Sequence, residues 1–187
     1  MNSRAFLRSV GAIPAVVWAS GCLDLALAPA AGAADERPEH RPIVGDPAPP
    51  LALETLDGAA RPEGQRRGAV TVVDFFTTWC KPCHEALRDL AALRSAQGKE
   101  IQVVLVDVGE DPALVRRFLT TAALPADARV LLDPAGTTTG AWGHDRFPTT
   151  FLIDRTGVIR HINRGWGPGY RERLGRWLRA MLASGMR

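Results

Sequence analysis

An α/β fold, with a central mixed β-sheet flanked by helices on both faces, is what this sequence predicts. Three observations lead there. Two runs, Val70–Phe76 and Ile101–Val106, are apolar nearly throughout, the pattern of strands covered on both sides. Each is followed by a stretch of helical periodicity, the usual link between parallel strands. Near the C-terminus, Thr149–Ile153 and Val158–Ile162 flank Asp154-Arg155-Thr156-Gly157, a turn of hairpin length, so part of the sheet is antiparallel.

The chain begins with a leader. Arg4 and Arg8 form a basic n-region, and Val10–Ala19 is an apolar run too short for a comfortable membrane span. Residues 1–33 therefore read as an export signal. Two processing sites are legible. Ala31-Gly32-Ala33 suits ordinary cleavage. Ala19-Ser20-Gly21-Cys22 resembles a bacterial lipobox, which makes Cys22 a lipidation candidate and a point of membrane attachment, although a larger aliphatic residue is usual where Ala19 stands. An uncleaved anchor is the third outcome. All three place the rest of the chain outside the cytoplasm, in the periplasm or on an outward-facing membrane surface, where disulfides persist.

Residues 34–43 read as a flexible linker, the start of a charged, Pro-rich stretch that runs from Asp35 to Pro50 and is expected to be extended or disordered. The globular domain spans residues 44–187. Leu51-Ala52-Leu53 and the turn Leu56-Asp57-Gly58 suggest a short N-terminal hairpin, and Arg61–Gly68 is a polar loop. Val70–Phe76 is the first central strand. Residues 82–97 follow as a helix with Leu87, Leu90 and Ala91 on one face. Ile101–Val106 is the second buried strand. Asp111-Pro112 supplies a cap and a first-turn proline for a helix running to about Ala122, with Leu114, Val115, Phe118 and Leu119 inward. Arg129–Leu132 is a third strand, and Asp133–Gly143 holds a turn and a short helix. After the hairpin comes a glycine-rich loop, Gly165–Gly169, and a closing helix Tyr170–Leu182 whose apolar face is Leu174, Trp177, Leu178, Met181 and Leu182.

Composition excludes more than it identifies. Of 187 residues, 46 % are hydrophobic and 23 % charged, enough apolar chain for one packed domain. The net charge of +3 is spread thinly, with no basic run longer than Arg66-Arg67 or Arg116-Arg117, so nucleic acid is not an expected partner. The chemistry sits in Trp79-Cys80-Lys81-Pro82-Cys83, a Cys-x-x-Cys pair at a strand-to-helix turn, which is a redox signature. The helix N-terminus lowers the pKa of the first thiol, and Lys81 between the cysteines favours its thiolate. Zinc would need two more ligands. The remaining cysteine, Cys22, lies in the leader, and His40, His84, His144 and His161 show no metal-ligand spacing, so no metal is expected. Asp74 is a carboxylate inside a strand covered on both faces, where it is costly unless it has a task.

With the pair, its flanks and the element order in place, the chain resembles thioredoxin-fold proteins, and most of all the exported thiol–disulfide oxidoreductases of the TlpA/ResA type. The likeness covers about residues 44–187. It rests on Gly45-Asp46-Pro47-Ala48-Pro49, Asp74–Cys83, Leu132-Asp133-Pro134 with Gly136, and Phe147-Pro148-Thr149-Thr150-Phe151-Leu152-Ile153-Asp154 onward. The second and fourth together are specific. The resemblance implies that Cys80 is the exposed nucleophile and that buried Cys83 resolves the mixed disulfide. It implies that Pro148 is a cis-proline opposite the dithiol, where neighbouring backbone pairs with a bound peptide. Asp74 matches the buried acid that trades protons with the second cysteine. Trp79 would shield one side of the thiols, and Pro82 and Phe147 would shape the site.

Three departures stand out. Ala86 and Arg88 occupy positions where many relatives have Glu and Pro, with Glu85 as a candidate substitute for the acid. Phe147 stands where a smaller residue is common. The resemblance implies a reductant of cysteines in partner proteins, in cytochrome c maturation or copper-site assembly, recharged by a membrane electron donor. No small-molecule cofactor is implied, since the electrons reside on the two thiols. A disulfide-forming oxidase or isomerase on the same fold is the main alternative, because Lys-Pro between the cysteines does not fix a place on the range of roughly −270 to −120 mV. A thiol peroxidase, using Thr77 but with Val73 where its proline is expected, and a copper-binding metallochaperone complete the alternatives.

Overall fold

The computed structural model describes residues 41–56, 58, 68–125 and 127–184. The leader, Cys22 and most of the linker lie outside the described residues. Six strands form one sheet in the order β1-β4-β3-β2-β5-β6. These are β1 Glu54–Thr55, β2 Val70–Phe76, β3 Ile101–Val108, β4 Arg129–Asp133, β5 Thr149–Ile153 and β6 Ile159–Arg164. The β2, β3 and β4 strands run parallel, while β1, β5 and β6 pair antiparallel with their neighbours. Every residue of β2 is buried, as a nearly apolar run requires of a strand at the sheet's centre.

Four helices complete the fold: α1 Lys81–Gln97, α2 Pro112–Leu119, α3 Thr138–Trp142 and α4 Tyr170–Ser184. One face of the sheet, carrying Val70, Val72, Phe76, Val103, Leu105 and Leu152, packs against α1, α4 and Val115 of α2. The other face, carrying Val73, Phe75, Val104, Val106, Phe151 and Ile153, packs against Trp142 of α3 and Leu51. Helices thus cover both faces, and the second is completed by chain outside any helix.

That chain is the N-terminal segment. Of the hairpin expected from Leu51–Leu53 and the turn at Leu56-Asp57-Gly58, the Gly58 N–H bonds to the Thr55 carbonyl, and the return arm falls in residues 59–67, outside the described residues. The Gly45 N–H donates to the Ile159 carbonyl, the Ile159 N–H donates to the Asp46 carbonyl, Pro47 bridges to Val158, and the segment then crosses the sheet with Leu51 buried beneath it. It ends at the opposite edge, where Glu54 and Thr55 pair with Leu132 and Leu131. A two-residue strand has no periodicity to read, and its partner lies far along the chain. Arg41 is tied to Asp145, and its side chain covers Gly143 so closely that a Cβ there would fall 2.8 Å from Arg41 Cγ. Gly143 also caps α3 at φ +59°, which favours glycine.

The α2 helix is shorter than its apolar pattern suggests. It stops at Leu119, where the Thr120 and Thr121 hydroxyls donate back to Arg117 and Phe118 carbonyls and compete with further helix. Val115 is its buried residue, whereas Leu114, expected to face inward, is 38 % exposed. The α1 helix is continuous over its whole length, consistent with Arg88 standing where relatives carry proline.

Candidate active site

β2 delivers the chain to the top of the sheet, and the turn Thr77–Trp79 leads directly into α1. Cys80 is the N-cap residue of that helix, and its sulfur accepts the Cys83 N–H at 3.2 Å. Cys80 and Cys83 are joined in a disulfide. Lys81 and Pro82 fill the first helical positions and are exposed. A proline there costs nothing, since its missing N–H has no partner in the first turn. The sulfur of Cys80 therefore sits on the positive end of a 17-residue helix, which stabilises a thiolate.

The two cysteines differ in access, but less than the sequence suggests. Cys83 is fully buried and Cys80 is 5 % exposed. Cys80, expected to be exposed, is covered on most sides in this disulfide form. Trp79 is the residue in solvent, at 70 % exposure. Its ring meets Phe147 edge-on, with centroids 6.2 Å apart, so it links the dithiol turn to the loop before β5 rather than packing in the core.

That loop carries a cis peptide bond between Phe147 and Pro148. Pro148 is buried, and its carbonyl accepts the Gly165 N–H at 2.7 Å, which ties it to the glycine-rich loop. Trp166, one residue on, donates from Nε1 to Asp89 of α1 at 2.9 Å and stays 39 % exposed. Trp166 escaped the sequence reading because nothing in a glycine-rich loop reports on its neighbours. Phe147 packs against both core clusters and against the buried His144 ring.

Asp74 is fully buried on the α1 side of the sheet, so it is not an acid turned to solvent at a strand end. Its Oδ1 accepts from Thr150 Oγ1 at 2.6 Å, and its Oδ2 has no partner. Burial pushes its pKa up to about 7, against the lowering effect of the Thr150 bond. The group is poised to exchange a proton near neutrality.

A second pair of acids lies beside the same turn and was missed in the sequence. Glu110, buried, accepts from the Thr78 N–H at 2.5 Å and the Thr78 hydroxyl at 2.6 Å. Asp107, three residues earlier on β3, is fully buried. Glu85, considered as a substitute acid, instead pairs with Arg88 on the helix surface. His84 Nε2 donates to the Thr78 carbonyl at 2.8 Å, and its ring packs on Phe118. Among the described residues, no group of three or more His, Cys, Asp or Glu is placed to hold a metal ion.

A dithiol at a helix N-terminus, a buried acid on the adjoining strand and a cis-proline loop joined to it through Trp79 and Phe147 can together perform thiol–disulfide exchange. Comparison with known proteins agrees. The profile of the Redoxin family matches residues 43–173. The chain belongs to the Redoxin family. Within this family it is 31 % identical over 125 residues to the thiol–disulfide oxidoreductase ResA of Geobacillus thermodenitrificans, covering 65 % of this chain and 70 % of that one. It is 33 % identical over 135 residues to a thiol:disulfide interchange protein DsbE homolog of Paracoccus denitrificans, covering 70 % of each. The crystal structure of a putative DsbE protein from Chlorobium tepidum superposes with a TM-score of 0.67 at 31 % identity, over 75 % of this chain and 98 % of that one. This Redoxin-family chain is a thioredoxin-fold, ResA-like enzyme, a thiol–disulfide oxidoreductase.

Proposed function

We propose that the protein is an exported reductant that cleaves disulfides in partner proteins, with the Cys80–Cys83 pair as its redox centre and no further cofactor. The observation that carries this reading is a Cys80–Cys83 disulfide at the N-terminus of α1, with Cys80 as the N-cap, beside a strand that holds a fully buried acid whose pKa lies near 7.

The exchange runs in two balanced steps. The Cys80 thiolate attacks one sulfur of the target disulfide. That S–S bond breaks, a mixed disulfide forms, and the leaving sulfur takes a proton. Cys83 then passes its proton to Asp74 and attacks Cys80 Sγ, which releases the second target sulfur. Two electrons move to the target, and the pair ends as the disulfide seen here. Pro148 and Phe147 shape the groove that receives the target, and Trp79, Lys81 and Pro82 form its outer edge.

Export is supported by the leader, with its basic start, apolar run and candidate lipidation at Cys22. The partner would be a protein with an oxidised cysteine pair in cytochrome c maturation or copper-site assembly, and a membrane dithiol protein would return the electrons. The name of the Paracoccus relative, an interchange protein, supports exchange between protein thiols.

The deciding measurement is the reduction potential of the pair, by equilibration with glutathione or dithiothreitol buffers. A potential around −250 mV or lower supports the reductant. One around −150 mV or higher overturns it and makes the protein a disulfide-forming oxidase.

A further inference from the structure

Thr78 stands two residues before Cys80, and each of its polar groups is held. Its N–H and hydroxyl donate to the two oxygens of Glu110, and its carbonyl accepts from His84. Two donors on one carboxylate are charge-assisted bonds that fix direction as well as distance. Glu110 comes from the turn between β3 and α2, so this contact spans 32 residues of chain. Three residues before Glu110 stands Asp107 of β3, which pairs in register with Phe76, the last residue of β2. Its carboxyl is fully buried, and neither oxygen receives a hydrogen bond. An ionised carboxylate without donors is costly in such a place, whereas a protonated one can donate to its neighbour Glu110. Burial first, then the neighbouring Glu110 carboxylate and the charge of Asp133, push the Asp107 pKa up to about 8.

We propose that Asp107 and Glu110 are a positioning pair for the redox turn, in which protonated Asp107 donates to Glu110 and the Glu110 carboxylate holds Thr78, and through it the approach to Cys80. The inference rests on the exchange function proposed above, because Cys80 is what the pair positions. The pair carries one negative charge while Asp107 keeps its proton. Loss of that proton sets two carboxylates against each other, loosens the hold on Thr78 and adds negative charge near a developing Cys80 thiolate. The other groups facing the pair do not cancel this. Asp133, at the end of β4, is held below the usual carboxylate range because the Thr138 and Thr137 hydrogen bonds outweigh its burial, so it adds negative charge. His84 of α1 is reached only across the Thr78 carbonyl, β2 presents Phe76, and Asp111 is turned onto the Ala113 N–H of α2.

Two readouts on the full-length protein test this. In an Asp74→Asn background, infrared spectroscopy is expected to show a protonated-carboxyl C=O band at neutral pH that titrates away around pH 8 and is lost on adding Asp107→Asn. Absence of the band at neutral pH overturns the protonated donor. The second readout is the rate constant for reducing a disulfide peptide across pH. The ratio of Asp107→Asn to wild type is expected to rise about three- to tenfold between about pH 6.5 and about pH 9.5, and Glu110→Gln to slow the reaction about tenfold with a flattened profile. A ratio that stays constant, with Glu110→Gln equal to wild type, overturns the positioning role. A wild-type protein that reduces no disulfide at all overturns the exchange reading and with it the positioning role, while the infrared result still reports on the proton.

Discussion

Thr150 Oγ1 donates to Asp74 Oδ1 at 2.6 Å, directly across the β2–β5 ladder, in which the two residues are paired in register. The same hydroxyl lies 2.8 Å from the Tyr170 hydroxyl of α4. Thr150 has one proton to give, and Asp74 takes it, so Tyr170 is the donor in the second bond. Three elements are joined in one buried chain that ends on an acid. The far oxygen of that acid, Oδ2, has no partner, which leaves it as the place where a proton arrives and departs.

Asp74→Asn removes that site. Turnover in the reducing direction is expected to fall about 10²-fold or more at pH 7, in keeping with the usual contribution of general acid–base catalysis. A variant with unchanged turnover across pH 6–9 rules the proton role out. Stability supplies an independent check with a definite sign. The folded pKa of about 7 lies above the ordinary value of 3.8, so the stability Asp74 contributes is full below about pH 4 and is lost as pH rises through 7. At 1.36 kcal/mol per unit this is about 4 kcal/mol. Urea unfolding at pH 4 and pH 8 should show Asp74→Asn gaining on wild type by up to that amount.

Thr150→Val and Tyr170→Phe separate the two links of the chain. Valine keeps the shape of threonine but leaves Asp74 without its donor. Stability is expected to fall by about 1–3 kcal/mol, and the Asp74-dependent step in the rate profile to move to higher pH. Phenylalanine removes the more distant hydroxyl and leaves the Thr150 bond in place, so the loss should be near 1 kcal/mol with little movement of the profile. Equal shifts for both variants in the pH profile would mean that Tyr170 tunes the acid directly.

The parts of this site legible in the sequence are those that are local or carried by an unusual residue. Cys80 and Cys83 announce themselves by spacing, Asp74 by being a charge in an otherwise apolar strand, and Pro148 by its place in a resembling motif. Glu110 and Asp107 were not legible. Both look like ordinary polar residues near the end of a strand, and their meaning comes from Thr78, which only folding brings to them. The acid expected near the dithiol was sought at Glu85 on the helix, yet the one that reaches the redox turn enters from the β3–α2 turn. Leu114 and Val115 show the same limit on the fold side. Either suits an apolar stripe, and only the tilt of a two-turn helix decides that Val115 is the one buried.

Leu51 anchors a segment that crosses the sheet, 2 % exposed in one cluster with Val73, Val104 and Phe151. Leu51→Ala should cost about 2–4 kcal/mol, as for a large buried residue in a site that cannot collapse. Chemical denaturation measures it. A cost below about 0.5 kcal/mol, the level of an exposed substitution, would mean that the segment adds nothing to the core.

The place of Cys80 as the N-cap of α1, with Cys83 fully buried in the first turn, predicts which thiol a partner meets. Cys83→Ser leaves Cys80 able to attack and unable to release, so mixed disulfides should accumulate on Cys80 and run as reducible adducts on non-reducing gels. Cys80→Ser leaves a fully buried thiol, and adducts should be absent or at least about tenfold fewer. Adducts in equal amount from both variants would reverse the assignment of nucleophile and resolving thiol.

Trp79 offers the test of how a partner is held. It is a large aromatic ring, 70 % exposed, and its fold contact is the edge of Phe147. A residue so placed contributes little to folding, so Trp79→Ala should leave unfolding free energy within about 0.5 kcal/mol of wild type. Exposed aromatics at the centre of an interface behave differently, since truncating one costs about 2 kcal/mol or more of binding. In the Cys83→Ser background, the rate of mixed-disulfide formation with a protein substrate should therefore drop about tenfold or more when Trp79 is replaced. The rate with a small acyclic disulfide such as bis(2-hydroxyethyl) disulfide, which offers no protein surface for the indole to hold, should change by less than about threefold. Equal losses with both substrates would place the effect of Trp79 on the Cys80 thiolate itself rather than on recognition of the partner.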